Sequence, residues 1–220
     1  MHQNVKKLCV LAMISALSFV MVMAIRIPVV QFLKYEPKDV IITVGGFLYG
    51  PLATVIVSVV VSFIEMITIS DTGWIGFVMN VLSTISFAGT ASLVYKKKHS
   101  ISGAVIGLVL GTAATTAVML GWNYILTPLY MEGRSRADVA ALLVPVFLPF
   151  NLLKGTLNSA ITILLYRPLV KALRSAKLFP QSTAAAPTKT SSKVWLYVIT
   201  ALVLVLAIVL VVLFRKGVIG

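Results

Sequence analysis

Long apolar runs separated by short polar or charged segments dominate the chain. The pattern predicts spanning helices over residues 8–25, 52–69, 74–95, 101–126 and 142–173, the last of them broken near Pro145 and Pro149. A shorter apolar stretch over residues 40–49 ends at a Gly-Pro pair, and residues 26–39 read as a polar loop. Because a membrane-spanning helix needs roughly 20 apolar residues, we predict an all-α integral membrane protein with a bundle of about six helices.

The C-terminal part of the chain has a different pattern from the rest. Residues 175–193 are rich in Ser, Thr, Ala and Pro, a composition typical of a flexible linker. Residues 194–214 form a uniformly apolar run without an amide, a charge or a glycine face. We therefore predict a six-helix membrane domain over residues 1–174, a linker over 175–193, and an extra transmembrane helix with its tail over 194–220.

Composition and charge narrow the class of protein. Hydrophobic residues make up 59% of the chain and charged residues only 11%, whereas about a quarter of a soluble domain is charged. The net charge of +13 comes from basic residues in short clusters between apolar runs. Such clusters are typical of cytoplasmic loops, so we expect a bilayer rather than a nucleic acid as partner, and a cytoplasmic N-terminus.

The motifs of enzymes are missing from the sequence. There is no Walker A sequence, no HExxH, no Ser/His/Asp set and no paired carboxylates on one helical face. Cys9 is the single cysteine, so neither an internal disulfide nor a CxxC metal site can form. We therefore predict a protein that is not an enzyme, with no catalytic residues, no metal and no cofactor.

Polar side chains within the predicted helices are the candidates for function. Asn80, Asn123, Asn151, Lys154 and Asn158 lie in apolar surroundings, where an unpaired polar group costs several kcal/mol. The last three are spaced i, i+3, i+7, which places them on one face of a helix. Spacing leaves two interpretations open: a structural hydrogen-bond cluster with Lys154 reaching towards the interface, or a ligand site.

Three further positions can be interpreted from the sequence alone. Glu65 stands near the end of a predicted helix, where we expect an interfacial carboxylate, with a ligand or gating contact as the alternative. Ala12 and Ala16 are small residues four apart, a spacing that permits close approach of another helix.

Several segments in the right order resemble one family. They are LKYEPKDVIITVGGFLYGP at 33–51, NVLSTISF at 80–87, NYILTPLY at 123–130, PFNLLKG at 149–155 and LLYRPL at 164–169. Together they resemble the riboflavin-binding S component of energy-coupling factor (ECF) vitamin transporters over roughly residues 5–175. The chain departs from the family loop at Lys38, where a small hydroxyl residue is usual, and at Ile41, where proline is usual.

The resemblance implies a fold, a ligand and partners. The fold would be the six-helix S-component bundle in a prokaryotic cell membrane, capturing riboflavin on the outer face under a mobile first loop. Its partners would be a membrane coupling subunit and two cytoplasmic ATPases that drive uptake. The alternatives are an S component for another vitamin or a flavin nucleotide, or a structural membrane protein without transport function.

The resemblance also implies roles for individual residues. Asn123, Asn151 and Lys154 would contact the ligand, because Asn offers both donors and acceptors and Lys offers donors. Four further ligand contacts are expected from the first loop and the fourth helix, namely Tyr35, Glu36, Asp39 and Asn80. Ala12 and Ala16 would form the coupling surface.

Overall fold

A computed structural model describes residues 2–30, 33–130 and 135–175, which form a helical bundle with one small β-hairpin. The elements are α1 (His2–Ala24), β1 (Ile27–Val30), β2 (Leu33–Tyr35), α2 (Lys38–Tyr49), α3 (Pro51–Thr68), α4 (Gly73–Thr84), the π-helical turn π1 (Ile85–Gly89), α5 (Thr90–Lys97), α6 (Ile101–Tyr130), α7 (Arg136–Leu142), the π-helical turn π2 (Leu143–Phe147) and α8 (Leu148–Ser175). The predicted linker beyond Ser175 and the predicted extra helix lie outside the described residues.

Five helical stretches within the described residues are long and apolar enough to cross a membrane. They are Asn4–Ala24, Pro51–Thr68, Gly73–Lys97, Ile101–Pro128 and Arg136–Tyr166. One further helix, α2, completes the bundle of six. It has only 12 residues and is buried from its first residue to Leu48. This arrangement confirms the predicted multi-pass helical membrane fold.

The segment between α1 and α2 is more ordered than the predicted loop. β1 and β2 pair antiparallel, with Ile27 opposite Tyr35, and we call this pair the hairpin. α2 then begins at Lys38, two residues before the apolar run that marked it in the sequence. Lys38 and Asp39 can belong to this buried helix because each pairs with an opposite charge from another helix.

The last long helix is interrupted at Pro145, one of the two prolines near which the sequence predicts a break. Pro145 falls within π2, and α8 resumes directly afterwards at Leu148. Proline lacks the N–H that an α-helical turn uses, so a widened turn is a common way to accommodate it. α7 begins before this interruption, at Arg136. Ser135 caps α7 through a reciprocal pair of hydrogen bonds with Asp138.

A sharp connection separates α2 from α3. Gly50 has a φ of 87°, a left-handed conformation that glycine adopts without a Cβ clash. Pro51 follows at the first position of α3, where its missing N–H costs nothing. The Gly-Pro pair that interrupts the apolar pattern therefore turns the chain back along the bundle.

Two apolar clusters hold the described part of the chain together. The larger joins α1, α2, α3, π1, α5 and α6 and includes Leu11, Ile42, Phe47, Val61, Phe87 and Leu108. The second packs the hairpin against α7, π2 and α8 through Val29, Leu33, Tyr35, Val139, Phe147, Phe150, Leu153 and Leu157. We call the end of the bundle with this second cluster the hairpin end.

Candidate functional site

The first turn of α2 carries two adjacent buried charges. Lys38 and Asp39 are each only 1% exposed. Neighbouring residues on an α-helix point about 100° apart, so the two side chains reach different parts of the bundle. Lys38 meets α3, and Asp39 meets α4 and α8. We call these two residues the junction.

Asp39 collects three partners from two other helices. The Thr84 hydroxyl donates to Oδ1 at 2.7 Å, and Asn158 Nδ2 donates to Oδ2 at 3.3 Å. The ammonium group of Lys154 lies 3.6 Å from the same Oδ2. Lys154 does not reach towards the interface, because its side chain is only 13% exposed and faces a buried carboxylate. The other part of the structural interpretation, a hydrogen-bond cluster between helices, is confirmed, and the ligand site stays a prediction.

Tyr35 links the hairpin to this group. Its hydroxyl donates to Asn158 Oδ1 over 3.0 Å, while the amide nitrogen of Asn158 donates to Asp39. Burial raises the pKa of the Tyr35 hydroxyl above its usual range, and the charge of Asp39 raises it further. Tyr35 therefore stays protonated and acts as a donor at physiological pH.

Lys38 is held by the carboxylate of Glu65. Its ammonium group lies 2.7 Å from Oε1 and 2.5 Å from Oε2 of Glu65, and Asn80 Nδ2 donates to Oε2 over 2.8 Å. The expectation of an interfacial Glu65 is wrong, because this residue is only 3% exposed. A buried carboxylate requires a cation, and Lys38 supplies it.

The ionic network continues to the two residues that flank the hairpin. Glu36 Oε2 lies 3.5 Å from the Lys38 ammonium, and Glu36 Oε1 accepts from Arg26 Nε at 2.8 Å. Arg26 also donates to the carbonyl of Ile69, just after α3 ends. Glu36 is therefore placed among charged protein partners, next to the junction.

Three positive and three negative side chains meet in this network. They are Arg26, Lys38 and Lys154 on one side and Glu36, Asp39 and Glu65 on the other. Their formal charges cancel. Ion pairing with cancelling charges is the condition under which charged groups tolerate burial.

The amides of Asn123 and Asn151 are also buried, and each donates to the carbonyl four residues earlier in the chain. Asn123 Nδ2 donates to the Met119 carbonyl, and its Oδ1 accepts from Thr127. Asn151 Nδ2 donates to the carbonyl of Phe147, the last residue of π2. Each of these bonds uses one of the two N–H donors of the amide. That Asn123 and Asn151 contact a ligand stays a prediction.

The structure thus brings together five of the seven predicted ligand residues. Tyr35, Asp39 and Lys154 share one set of partners, and Glu36 and Asn80 share another. Ala12 and Ala16 are exposed on α1. Sequence reasoning missed the role of Lys38, which drew notice only as an unusual residue. The signal that could have found it was Glu65, an acidic residue in an apolar helix that needs a cation.

The chemistry that this arrangement offers is binding. Within the described residues no group of three or more His, Cys, Asp and Glu side chains is placed to hold a metal ion. Hydrogen-bond donors of Lys154 and Asn158 and the acceptor groups of Asp39 converge below the hairpin. Such convergent polar groups in an apolar enclosure are typical of small-molecule sites.

Comparison with known proteins identifies similar chains. A family model for the substrate-specific component of ECF transporters matches residues 6–166. The riboflavin transporter RibU of Staphylococcus aureus (strain TCH60) is 34% identical over 183 residues, which cover 79% of this chain and 95% of that protein. The riboflavin transporter FmnP of Bacillus subtilis (strain 168) is 29% identical over 189 residues, covering 80% and 99%.

A solved structure shares the fold. It is the S component of a bacterial ECF transporter, with a TM-score of 0.65 and 32% sequence identity. The match covers 78% of this chain and 99% of the solved chain.

Proposed function

Because the chain belongs to the family of ECF transporter substrate-specific components, we propose that its substrate is riboflavin, held at the hairpin end of the bundle. A substrate-binding subunit of this family is a multi-pass membrane protein that binds its substrate and does not transform it. The vitamin would lie below the hairpin, between the hairpin, α6 and α8. Related riboflavin transporters from two bacteria support riboflavin as the ligand.

The buried group around Asp39 is the observation that carries the proposal. An ion pair with Lys154 and a hydrogen bond to Asn158 would be an expensive arrangement if its only task were to stabilise a membrane bundle. Its position below Tyr35 and the apolar hairpin cluster gives a ligand both polar anchors and apolar walls.

The residue types suit a flavin ring. The edge of that ring alternates carbonyl acceptors with an N–H donor, so it needs both kinds of partner. The amides of Asn123 and Asn151 supply donors and acceptors, and the ammonium group of Lys154 supplies donors. In this proposal Asn123, Asn151 and Lys154 contact the ligand. Asp39 and Tyr35 hold Lys154 and Asn158 in position beside it.

The cancelling charges of the network favour a neutral vitamin over a phosphorylated one. Asp39 already neutralises Lys154, and Glu65 already neutralises Lys38. A phosphate group would therefore meet no surplus positive charge within this network, and bringing a doubly charged group into it would carry a desolvation cost. We expect riboflavin to bind more tightly than a flavin nucleotide.

The test is purification in detergent followed by spectroscopy. The purified protein should carry flavin absorbance or bind added riboflavin tightly, and mass spectrometry should identify riboflavin after denaturation. Lys154→Met and Asn151→Ala should weaken binding at least tenfold. Asn4 is an exposed asparagine of α1, so Asn4→Ala is the matched control and should leave the affinity for riboflavin unchanged. Unchanged affinity in Lys154→Met and Asn151→Ala would disprove the site, and failure of riboflavin to bind would disprove the ligand.

We also propose how the subunit is oriented and coupled. The clustered basic residues support a cytoplasmic N-terminus in a prokaryotic cell membrane. Exposed Ala12 and Ala16 would pack against a membrane coupling subunit driven by two cytoplasmic ATPases. The double variant Ala12→Leu/Ala16→Leu should lose co-purification with that subunit and keep riboflavin binding. Retained co-purification would remove this surface from the proposal.

A further inference from the structure

We propose that Lys38 and Glu65 are positioning residues whose ion pair holds the hairpin closed over the site and so slows the release of the ligand. The identity of that ligand rests on the proposed function. We call this pair the latch. Its contacts connect α2, which follows the hairpin closely, with α3, and Asn80 of α4 donates to the same Glu65 carboxylate.

The hairpin is held in two separate ways. On one side Val29, Leu33 and Tyr35 pack against Val139 and other apolar side chains of the hairpin end. On the other side the chain after β2 reaches Lys38 within three residues, and the ammonium group of Lys38 contacts both oxygens of Glu65.

The other end of the hairpin is tied to the same region. Arg26 precedes β1 and donates to the carbonyl of Ile69, four residues after Glu65. Arg26 also pairs with Glu36, which lies next to Lys38 in the ionic network. Both chain ends of the hairpin therefore converge on the last turn of α3. Displacement of the hairpin as a unit would therefore pull on these contacts from both chain ends.

Because the latch is buried, it stabilises the closed hairpin more than a partly displaced one. The side chains of Lys38 and Glu65 are 1% and 4% exposed. Separating two buried charges leaves each without its partner, and this cost persists until water reaches both of them. Partial displacement of the hairpin is therefore unfavourable. Opening requires either that the pair stays together or that it becomes fully hydrated.

A second ion pair on the same hairpin provides a contrast. Lys34 of β2 contacts Asp71 at 2.7 Å, but the two side chains are 32% and 73% exposed. Water screens such a surface pair, so its contribution is small. Glu65→Gln and Asp71→Asn thus make the same chemical change, from carboxylate to amide. The first removes the buried partner of Lys38, and the second removes the exposed partner of Lys34.

The first experiment measures opening of the hairpin without any ligand. Val29→Cys in a Cys9→Ser background places a lone thiol in the buried hairpin cluster. Its rate of reaction with a maleimide reports how often the hairpin leaves the bundle. Adding Glu65→Gln should accelerate labelling by about tenfold or more, because it removes the charge that holds Lys38. Adding Asp71→Asn should leave the rate close to that of the parent.

The second experiment measures the dissociation rate of bound riboflavin. Glu65→Gln should raise koff by a similar factor and change kon little, whereas Asp71→Asn should change neither. Glu65→Asp keeps the charge on a shorter side chain, so it should give an intermediate koff. It also serves as the test variant if Glu65→Gln does not fold. A purely structural role would lower the melting temperature of these variants without this ordered change in koff.

The outcomes separate this inference from the proposed function. Equal labelling of the Val29→Cys thiol in the Glu65→Gln and parent backgrounds would overturn the latch, whether or not riboflavin binds. An equal acceleration by Asp71→Asn would also overturn it, because any ion pair on the hairpin would then suffice. If labelling behaves as expected but riboflavin does not bind, the latch stands and the ligand assignment fails.

Discussion

Replacing Asp39 by asparagine is the most direct perturbation of the buried network. The substitution keeps the size of the side chain and removes one negative charge. It leaves Lys154 without its counter-charge, and it turns an amide N–H of the new side chain towards a neighbouring donor, which is unfavourable. The Thr84 hydroxyl and Asn158 Nδ2 both donate to the carboxylate in the parent protein.

The size of the effect follows from the burial of the pair. Removing one partner of a buried ion pair costs about 3–5 kcal/mol. We expect about 3 kcal/mol, the lower end, because Lys154 retains 13% exposure and lies 3.6 Å from Asp39. In a protein of this length each kcal/mol shifts the melting temperature by roughly 2–4 °C, so the expected loss is about 6–12 °C.

The assay is thermal unfolding of the detergent-solubilised protein without ligand, at one protein concentration and scan rate. Asp71→Asn makes the same chemical change in an exposed carboxylate that pairs with Lys34, and it should leave the melting temperature unchanged. The double variant Asp39→Asn/Lys154→Met removes both charges. It should recover part of the lost stability, because no unpaired buried cation remains.

Two results would refute this reasoning. If Asp39→Asn melts within about 2 °C of the parent, a shift of less than about 1 kcal/mol, then the ion pair with Lys154 carries little of the stability. If the double variant is as unstable as the sum of the two single variants, the two side chains are not coupled.

The remaining predictions concern helix packing and the hairpin. Gly111→Ala should lower the melting temperature clearly, because a Cβ there would meet the Phe87 carbonyl oxygen at 2.5 Å, whereas Gly121→Ala in the same helix meets nothing within 4 Å and should not. Tyr35→Phe should cost about 1–3 kcal/mol, measured by thermal unfolding, by leaving the buried Asn158 oxygen without its donor. Folding raises the pKa of Tyr35, so above about pH 10 the unfolded chain loses the tyrosine proton before the folded protein does. The stabilisation is therefore complete below about pH 10 and declines above it. The parent and Tyr35→Phe should then converge in stability at alkaline pH.

The spanning helices could be predicted because the bilayer imposes one simple rule on them. Long apolar runs with few charges must be helical and must span, and five such helices are found within the described residues. The short helix α2 was harder to delimit because its first turn is charged. Its start at Lys38 depends on partners in α3 and α8, which lie far away in the sequence. The hairpin was missed because β1 and β2 have only four and three residues, too few to show an alternating pattern in the sequence.

The candidate site was predictable in its residue types and only partly in its pairing. Helical spacing placed Lys154 and Asn158 on one face of α8, and both contact Asp39. Nothing local indicates that Lys38 pairs with Glu65, because the two residues are 27 positions apart in the sequence. Only the balance of charges in an apolar protein points to such a pair, since every buried carboxylate needs a cation.

The two adjacent residues of the junction connect the hairpin with the proposed ligand site. Lys38 faces Glu65 on the side where the hairpin is anchored, and Asp39 faces Lys154 on the side where the ligand would bind. Because both belong to one rigid helical turn, a displacement that pulls Lys38 away from Glu65 also moves Asp39 relative to Lys154. A ligand that contacts Lys154 would oppose that displacement. Binding and closure of the hairpin would then stabilise each other to the same extent, as thermodynamic linkage requires.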